Sequence, residues 1–297
     1  MSEDVEESLA YGGQALIEGV MMRSGDTMVM CVRQPDQEIA TFSQHIDMVS
    51  KRNRVLGLPF VRGVAMLVET MYYGVKAMMQ SANVALEEED EEFTLFDYVI
   101  LVVMVLLLNG LFIAIPFILT NYLGLTGILF NVVESVIRLG LFMGYLYVIS
   151  LWGEVARVLQ YHGAEHKAIN AYEAGSSMEV EDVARYSRLN PRCGTSFLFL
   201  TVLTSIALFA LIPRTTFILR LAYRLALIPV IAGVSYEVLK LSDKYRESPV
   251  MKLIMAPGLW FQKLTTKEPS PDMIEVAVKA LKEVKSIKES STEDLNQ

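Results

Sequence analysis

Two long stretches without a charged residue constrain what this chain can fold into. The first runs from Tyr98 to Val133, and the second runs from Cys193 to Pro213. Each is at least as long as the roughly 20 residues that a helix needs to cross the hydrocarbon core of a bilayer. The 297-residue chain is 53% hydrophobic with a mean hydropathy of +0.37, which is too apolar for an ordinary soluble domain. The sequence therefore predicts an integral membrane protein.

The apolar segments divide into four predicted membrane-spanning helices. Polar residues and glycine between 121 and 124 interrupt the first stretch, so that it holds one span and the start of another. The predicted spans lie near 97–120, 127–152, 194–213 and 217–239. The predicted fold class is a mainly α membrane protein with a small N-terminal cytosolic β unit and amphipathic flanking helices.

Basic residues predict the orientation of these spans, because short cytoplasmic segments are enriched in lysine and arginine. The acidic start of the chain contains no apolar core of a cleaved signal peptide, which favours cytoplasmic N- and C-termini. The first predicted outer loop carries no charge, and only Arg214 and Arg220 lie near the second. Three inner segments hold the other relevant basic residues, namely Lys51, Arg52, Arg54 and Arg62, then Arg157, Lys167, Arg185, Arg188 and Arg192, then Lys240, Lys244 and Arg246.

Charge and cysteine usage exclude other classes of function. The net charge is −8, with acidic clusters at 87–92 and in the C-terminal tail, which argues against nucleic acid as a partner. Cys31 and Cys193 both lie on the predicted cytosolic side, where thiols stay reduced, so no disulfide framework is expected. The lipid bilayer is the partner that the composition predicts.

The flanking segments show regular patterns. Alternation in Thr27–Arg33 and a turn at Pro35 and Asp36 predict an antiparallel meander within residues 11–50. A helix from Val61 to about Ala85 is expected to pack on the spans, with the lipid headgroup boundary as the alternative. Ser270 is the predicted N-cap of a last helix, and disorder is expected beyond Lys288.

The chain is predicted to divide into six segments. These are a β unit (1–60), an amphipathic helix with an acidic linker (61–92), spans one and two (93–152), a cytosolic segment with a candidate metal motif (153–192), spans three and four (193–240), and a cytosolic tail with an amphipathic helix (241–297).

Among the charged residues inside the predicted spans, Glu134 and Arg224 are the candidates for an ion pair. Glu134 and Arg224 each lie seven residues from the outer end of their span, which is about 10 Å at the helical rise of 1.5 Å per residue. Equal depth favours a structural ion pair that Arg138, one turn from Glu134, can share. A transport relay is the alternative.

The candidate chemical site is the segment Tyr161–Lys167, which holds two of the three histidines in the chain. His162 and His166 are four residues apart, so on a helix both imidazoles point to one side, with Glu165 about 60° away. Such spacing is typical of metal ligation, and His-x-x-Glu-His occurs in one group of zinc proteases. The third histidine, His45, is expected to be incidental.

A divalent metal ion, with zinc as the first expectation, needs further ligands. Catalytic zinc usually has three protein ligands and one water, with a carboxylate that moves the proton. Cys193 and Glu237 lie at the cytosolic ends of spans three and four, so either can complete the set with Glu165 as the base. Glu173 lies about 10 Å beyond His166 on the helix, which suits an outer shell. The alternative is that both histidines are hydrogen-bonded structural residues.

The glycine-rich segment Gly12–Arg23 is the other unusual cluster. Glycines allow close approach of backbone, and Glu18 and Arg23 place opposite charges beside them. The expectation is a tight turn with a local ion pair. The alternatives are that the segment closes over the membrane site, or that Arg23 binds an anionic group.

Four separated motifs carry a family resemblance. They are GGQALIEGVMMR (12–23), YHGAEHK (161–167), PRCGTSF (191–197) and LTTKEP (264–269). Together they resemble the YqhQ-like family of bacterial membrane proteins, a domain of unknown function sometimes labelled a predicted metal-dependent enzyme. The resemblance implies that His162, Glu165, His166 and Cys193 belong to family motifs. Asn190 departs from the pattern, because relatives often carry a histidine there, and this removes one potential ligand.

The sequence therefore predicts metal-assisted hydrolysis of a lipid-linked or membrane-proximal substrate at the cytosolic face of a bacterial inner membrane. His162 and His166 bind the ion, Cys193 or Glu237 completes its shell, and Glu165 transfers the proton. The alternative is a membrane scaffold or transporter without enzymatic activity, in which any metal is structural.

Overall fold

The computed structural model describes residues 11–46, 56–58, 61–86, 94–191, 193–212, 215–245 and 248–294. The protein is mostly helical, with a small antiparallel sheet at its N-terminus. The strands are β1 (Tyr11–Leu16), β2 (Gly19–Ser24), β3 (Thr27–Arg33) and β4 (Ile39–His45). The helices are α1 (Val61–Leu86), α2 (Leu95–Tyr122), α3 (Gly127–Ser150), α4 (Gly153–Glu173), α5 (Val180–Val183), α6 (Gly194–Ala210), α7 (Phe217–Ala226), α8 (Ile228–Lys244), α9 (Pro249–Thr265) and α10 (Pro271–Asp294).

The sheet is a meander in the order β1-β2-β3-β4, which confirms the strand arrangement expected for residues 11–50. Glu18 has a positive φ of 51° in the two-residue connection between β1 and β2, a conformation that a tight hairpin turn requires. The inward residues of the sheet do not form a core alone. They share one apolar core with α4 and α10, so the first and last parts of the described chain pack together.

α10 continues further than the sequence indicated. The expectation of disorder beyond Lys288 was wrong, because the helix extends to Asp294. Its apolar stripe, which includes Ile274, Leu281 and Val284, is buried against the sheet and α4. Lys288 also donates a hydrogen bond of 2.8 Å to the Ser24 hydroxyl, which ties this part of the helix to β2.

Two helical stretches among the described residues are long and apolar enough to cross a membrane, Leu129–Ser150 and Ile218–Ser242. The predicted second and fourth spans coincide with them. The other two predicted spans fall on α2 and α6, whose described apolar parts, Gly110–Tyr122 and Gly194–Ala210, are shorter. The positions of the four apolar helices thus agree with the sequence, while two of them meet the length and hydropathy expected of a span.

α1 packs on α8 and on the sheet, as preferred from its sequence. Gly63 lies so close to Tyr236 that an added Cβ would come within 2.7 Å of the tyrosine Cβ. The opposite face of α1 leaves Val68, Met71 and Tyr72 exposed. The helix is therefore amphipathic, with one face against the protein and one apolar face uncovered.

The charged residues within the apolar helices form a buried triad. Arg224 of α7 donates hydrogen bonds to both carboxylate oxygens of Glu134 in α3, and Arg138 donates another at 2.5 Å. The three side chains are 1–9% exposed. Phe117 and Phe209 lie against the Arg224 guanidinium at 4.8 and 4.9 Å. A carboxylate shared by two guanidinium groups in an aromatic enclosure joins α3 to α7.

Residues 266–269, which follow the last residue of α9, cross the middle of α4. The Lys267 amide donates to the Leu159 carbonyl at 2.8 Å, and the Lys267 side chain donates to the Ser150 carbonyl at 2.5 Å. Gly163 makes this crossing possible, because a Cβ built there would lie 2.1 Å from the Lys267 carbonyl oxygen. The contact fixes the distance between α4 and the segment that follows α9.

We expect the Gly163→Ala substitution to destabilise the protein by about 1–3 kcal/mol or more, because the new methyl group overlaps a backbone carbonyl that cannot rotate away. The measurement is the midpoint of thermal unfolding in detergent. Gly140→Ala in α3 is the matched control, since a Cβ built at Gly140 meets no atom within 4 Å. Equal midpoints for the two variants would contradict the close crossing.

Candidate metal centre

α4 presents its two histidines on the face opposite the shared apolar core. Tyr161, Ala164 and Ala168 are fully buried towards the sheet and α10. His162 and His166, one turn apart, have ring centroids 4.4 Å from each other. His166 is 1% exposed, and His162 is partly buried. The helical spacing in the sequence therefore brings both imidazoles to one place.

Backbone carbonyls fix the orientation of both rings. His162 Nδ1 lies 2.7 Å from the Thr265 carbonyl oxygen, and His166 Nδ1 lies 2.6 Å from the Arg188 carbonyl oxygen. A carbonyl only accepts, so in each ring Nδ1 carries the hydrogen and Nε2 keeps its lone pair. This arrangement is typical of histidines that bind a metal through Nε2.

Cys193 faces the same point from the start of α6. Its Sγ lies 3.1 Å from His162 Nε2. The sulphur also caps α6, because it accepts a hydrogen bond of 3.3 Å from the Thr195 amide and lies 3.2 Å from the Thr195 hydroxyl. Amide donors at a helix N-terminus stabilise negative charge, which suits a thiolate ligand.

The three ligand atoms converge. His162, His166 and Cys193 each offer one donor atom, and all three atoms lie within 4.8 Å of one another. A tetrahedral zinc ion at its usual bond lengths would separate such atoms by about 3.3–3.6 Å, so small side-chain movements suffice to bind one. His166 Nε2 is buried and has no hydrogen-bond partner among the described residues, which is costly unless something else satisfies it. The donor set and this unsatisfied nitrogen both fit a zinc ion.

Glu165 stands beside the cluster and is 4% exposed. One carboxylate oxygen lies 3.4 Å from His166 Nε2. Burial raises the pKa of Glu165 to about 7, and a protonated His162 would oppose this shift. A carboxyl group with a pKa near neutrality can both accept and release a proton.

The N-terminal sheet covers Glu165. A Cβ built on Gly13 would lie 2.7 Å from Glu165 Cγ, 2.8 Å from its Oε1 and 2.8 Å from the Met21 carbonyl oxygen. Glycine at this position lets β1 lie directly against the carboxylate. The glycine-rich segment thus packs beside the cluster, which is one of the arrangements that its sequence suggested.

Glu18 pairs with α4 and not with Arg23. Its carboxylate accepts hydrogen bonds of 2.6 and 2.5 Å from Arg157, and Tyr161 donates one of 3.2 Å. The bond to Glu18 raises the pKa of Arg157, while burial raises that of Tyr161. Arg23 instead donates to the Gly25 carbonyl at 3.1 Å, and burial lowers the pKa of its guanidinium. The local ion pair expected within residues 12–23 was wrong, because the turn directs Glu18 towards α4.

Two further candidates lie elsewhere. Glu237 of α8 accepts hydrogen bonds of 2.8 and 2.6 Å from Arg62 of α1, and it is not part of the three-residue cluster. Glu173 is exposed at the last residue of α4, about 10 Å along the helix from His166. Glu237 therefore joins two helices, and Glu173 faces solvent.

Sequence reasoning missed the residues that hold the cluster. Thr265 and Arg188 act through main-chain carbonyls, which leave no mark in residue type. The buried side chain of Gln262 bridges the Asn190 amide and carbonyl at 2.9 and 2.6 Å and so positions the loop before Cys193. The only sequence signal for this support was the 264–269 motif, which begins two residues after Gln262.

Comparisons with known proteins agree with these motifs. The family described as "Protein of unknown function (DUF1385)" matches residues 58–287. The "Uncharacterized protein YqhQ" of Bacillus subtilis (strain 168) is 37% identical over 292 residues, covering 93% of this chain and 92% of that protein. No solved structure matches. The extent of the family match shows that this chain belongs to the DUF1385 family, and the second match shows that YqhQ is a relative of this chain.

Proposed function

We propose that this protein is a metal-dependent hydrolase that acts at the cytosolic face of a bacterial inner membrane on a lipid-linked or membrane-proximal substrate. The observation that carries the proposal is the pair of imidazoles whose Nδ1 atoms are held by backbone carbonyls and which share one cluster with the Cys193 thiol, 3.1 Å from His162 Nε2. Zinc is the proposed ion, since two nitrogens and one sulphur match its preferred ligands.

In this proposal His162, His166 and Cys193 are the three protein ligands. Zinc held by three protein ligands supplies a Lewis acid and lowers the pKa of a bound water to about 7. Glu165 would be the group that holds and moves a proton beside that ion, because its carboxylate lies 3.4 Å from His166 Nε2 and β1 packs against it. Glu237 has no place in this ligand set, since Arg62 engages both of its oxygens.

The proposed setting is a four-span arrangement with both termini in the cytoplasm, in which α2, α3, α6 and the α7–α8 pair cross the bilayer. Only 11% of the apolar window in Leu129–Ser150 is buried, whereas a core helix of a soluble protein would be mostly buried. Exposed Leu107, Leu111 and Ile118 on α2 need a similar apolar environment. α4 begins directly after α3, so the cluster lies close to the membrane surface.

A structural metal site in a scaffold or transporter is the second candidate function. The depth of burial favours it, because His166 and Glu165 are 1% and 4% exposed. If Glu165 served as a fourth ligand, the shell would be closed and would leave no position for water. X-ray absorption spectra of the zinc-loaded protein distinguish three protein ligands with water from a closed four-ligand shell.

Metal content tests the ligand set directly. We expect purified protein to contain about one zinc ion per chain, as a single tetrahedral site predicts. His166→Ala should lose most of it, measured by inductively coupled plasma mass spectrometry. His45→Ala is the control, since this exposed residue of β4 is the third histidine in the chain. Full zinc content in His166→Ala would overturn the proposed site.

The proposed role of Glu165 predicts a separation of metal binding from activity. Glu165→Gln keeps the shape of the side chain and should retain zinc, while proton transfer slows by about 10²–10⁴-fold. Complementation of a strain that lacks the gene provides the activity measurement. Glu173→Gln, on the exposed end of the same helix, should complement normally. Normal complementation by Glu165→Gln would favour the structural metal site.

The contact between β1 and Glu165 gives another test. Gly13→Ala should displace the carboxylate, destabilise the protein by about 1–3 kcal/mol and reduce complementation, because its methyl group overlaps Glu165 and a backbone oxygen. Gly12→Ala is the neighbouring control, since its Cβ meets nothing within 4 Å. Thermal unfolding and complementation are measured for both. Identical behaviour of the two variants would show that β1 does not constrain Glu165.

A further inference from the structure

A cavity of about 460 Å³ lies at the end of the helical bundle where α3 begins, α6 ends and α7 begins. Its polar lining comprises Asn121, Thr126, Asn131 and Arg220, and its apolar lining includes Phe130 and Phe209. The cavity is at the first residues of α3, whereas α4 follows the last, so about 36 Å of helix separates it from the start of α4. It is therefore distinct from the metal cluster.

Arg220 supplies a positive charge that has no anionic partner in the described part of the chain. Its guanidinium lies over the rings of Phe117 and Phe130 at 5.7 and 5.2 Å. Within the described part of the chain, these ring contacts are its interactions, and no carboxylate or carbonyl accepts a hydrogen bond from it. Arg220 also lies in the first turn of α7, where the helix dipole is positive and a cation is unfavourable.

The neighbouring charges do not balance it. Below the cavity, Glu134 is shared by Arg138 and Arg224, which leaves this triad with one positive charge in excess. The Nε atoms of both arginines are buried without a hydrogen-bond partner among the described residues. With Arg220 included, the described residues in this part of the bundle hold three guanidinium groups and one carboxylate. Such an excess attracts an anion into a site with apolar walls.

The start of α3 adds hydrogen-bond donors. Thr126 and Gly127 line the cavity, and the Thr126 side chain does not cap the helix. The first turn of α3 contains no acidic residue. Its amide N–H groups are therefore open to a ligand, and helix N-termini with a nearby arginine commonly bind phosphate. The last carbonyl groups of α6 repel an anion. The Leu211 and Ile212 amides hydrogen-bond two of these carbonyls, which weakens the repulsion.

We propose that this cavity binds a phosphate group, with Arg220 and the first amides of α3 as its donors and with Asn121 and Asn131 as additional polar contacts. Arg220 can donate two parallel hydrogen bonds to phosphate oxygens while it stays stacked on the two phenylalanine rings. The phosphate belongs either to a lipid headgroup or to a soluble anion. The apolar lining beside Arg220 is compatible with both sources.

The experiment measures thermal unfolding of the full-length protein in neutral detergent with three probes. These are inorganic phosphate against chloride at equal ionic strength, dihexanoyl phosphatidylglycerol, and dihexanoylglycerol as its counterpart without phosphate. A probe at a hundredfold excess over its Kd should raise the Tm by about 5–10 °C. A shift with both phosphate probes identifies the phosphate group alone as the ligand. A shift only with the phospholipid identifies a lipid headgroup.

Arg220→Gln should abolish the shift, and Arg185→Gln is the control because that arginine is exposed near α5. If Arg220→Gln does not fold, Asn131→Leu serves as the second variant and should reduce the shift. The proposal is overturned if neither phosphate probe shifts the wild-type Tm. It is also overturned if dihexanoylglycerol acts as well as the phospholipid, or if Arg220→Gln, or Asn131→Leu in its place, responds like wild type.

Discussion

The two hydrogen bonds from imidazole Nδ1 atoms to the carbonyls of Thr265 and Arg188 are the interactions on which the candidate site depends. Each bond fixes a tautomer and leaves Nε2 of that ring without the hydrogen, in a cluster whose three candidate donor atoms lie within 4.8 Å of one another. Neither carbonyl belongs to α4, so the site exists only when α4 has packed against two separate segments. Gly163 permits one of these contacts, and the Gln262 side chain holds the loop that follows Arg188. The geometry of the imidazoles is therefore a property of the whole fold and not of one helix.

The sequence predicted that the three candidate ligand residues, His162, His166 and Cys193, lie together, because its signals were local. Helical spacing placed His162 beside His166, and the end of an apolar stretch placed Cys193 at the same membrane level. The pairing of Glu134 with Arg224 followed from equal depth in two predicted spans, and the meander followed from alternation and turns. In each case one periodicity or one segment length was enough to predict which residues lie close together.

Other contacts were beyond the sequence because their partners are distant and ambiguous. Glu237 had the same predicted depth as Cys193, but Arg62, 175 residues earlier in the chain, engages both of its oxygens. Glu18 was assigned to Arg23 because the two residues are close in sequence, whereas a hairpin turn with positive φ directs it to Arg157. The carbonyl acceptors of the histidines carry no side-chain signal at all. A single sequence gives candidate charges, and only the packing of helices decides which of them meet.

The site also depends on how little space surrounds Glu165. β1 packs against the Glu165 carboxylate at Gly13, and burial raises the pKa of Glu165 to about 7, so the sheet contributes to the enclosure of this group. The sheet in turn shares its core with α10 and is joined to α4 through the Glu18–Arg157 pair. This explains why the glycine-rich motif near the N-terminus and the motif near residue 265 belong to the same constellation as the histidines. The glycine-rich segment packs against Glu165, and the segment near residue 265 accepts the hydrogen bond from His162. Between them they enclose a small polar site that lies between the apolar core and the apolar helices.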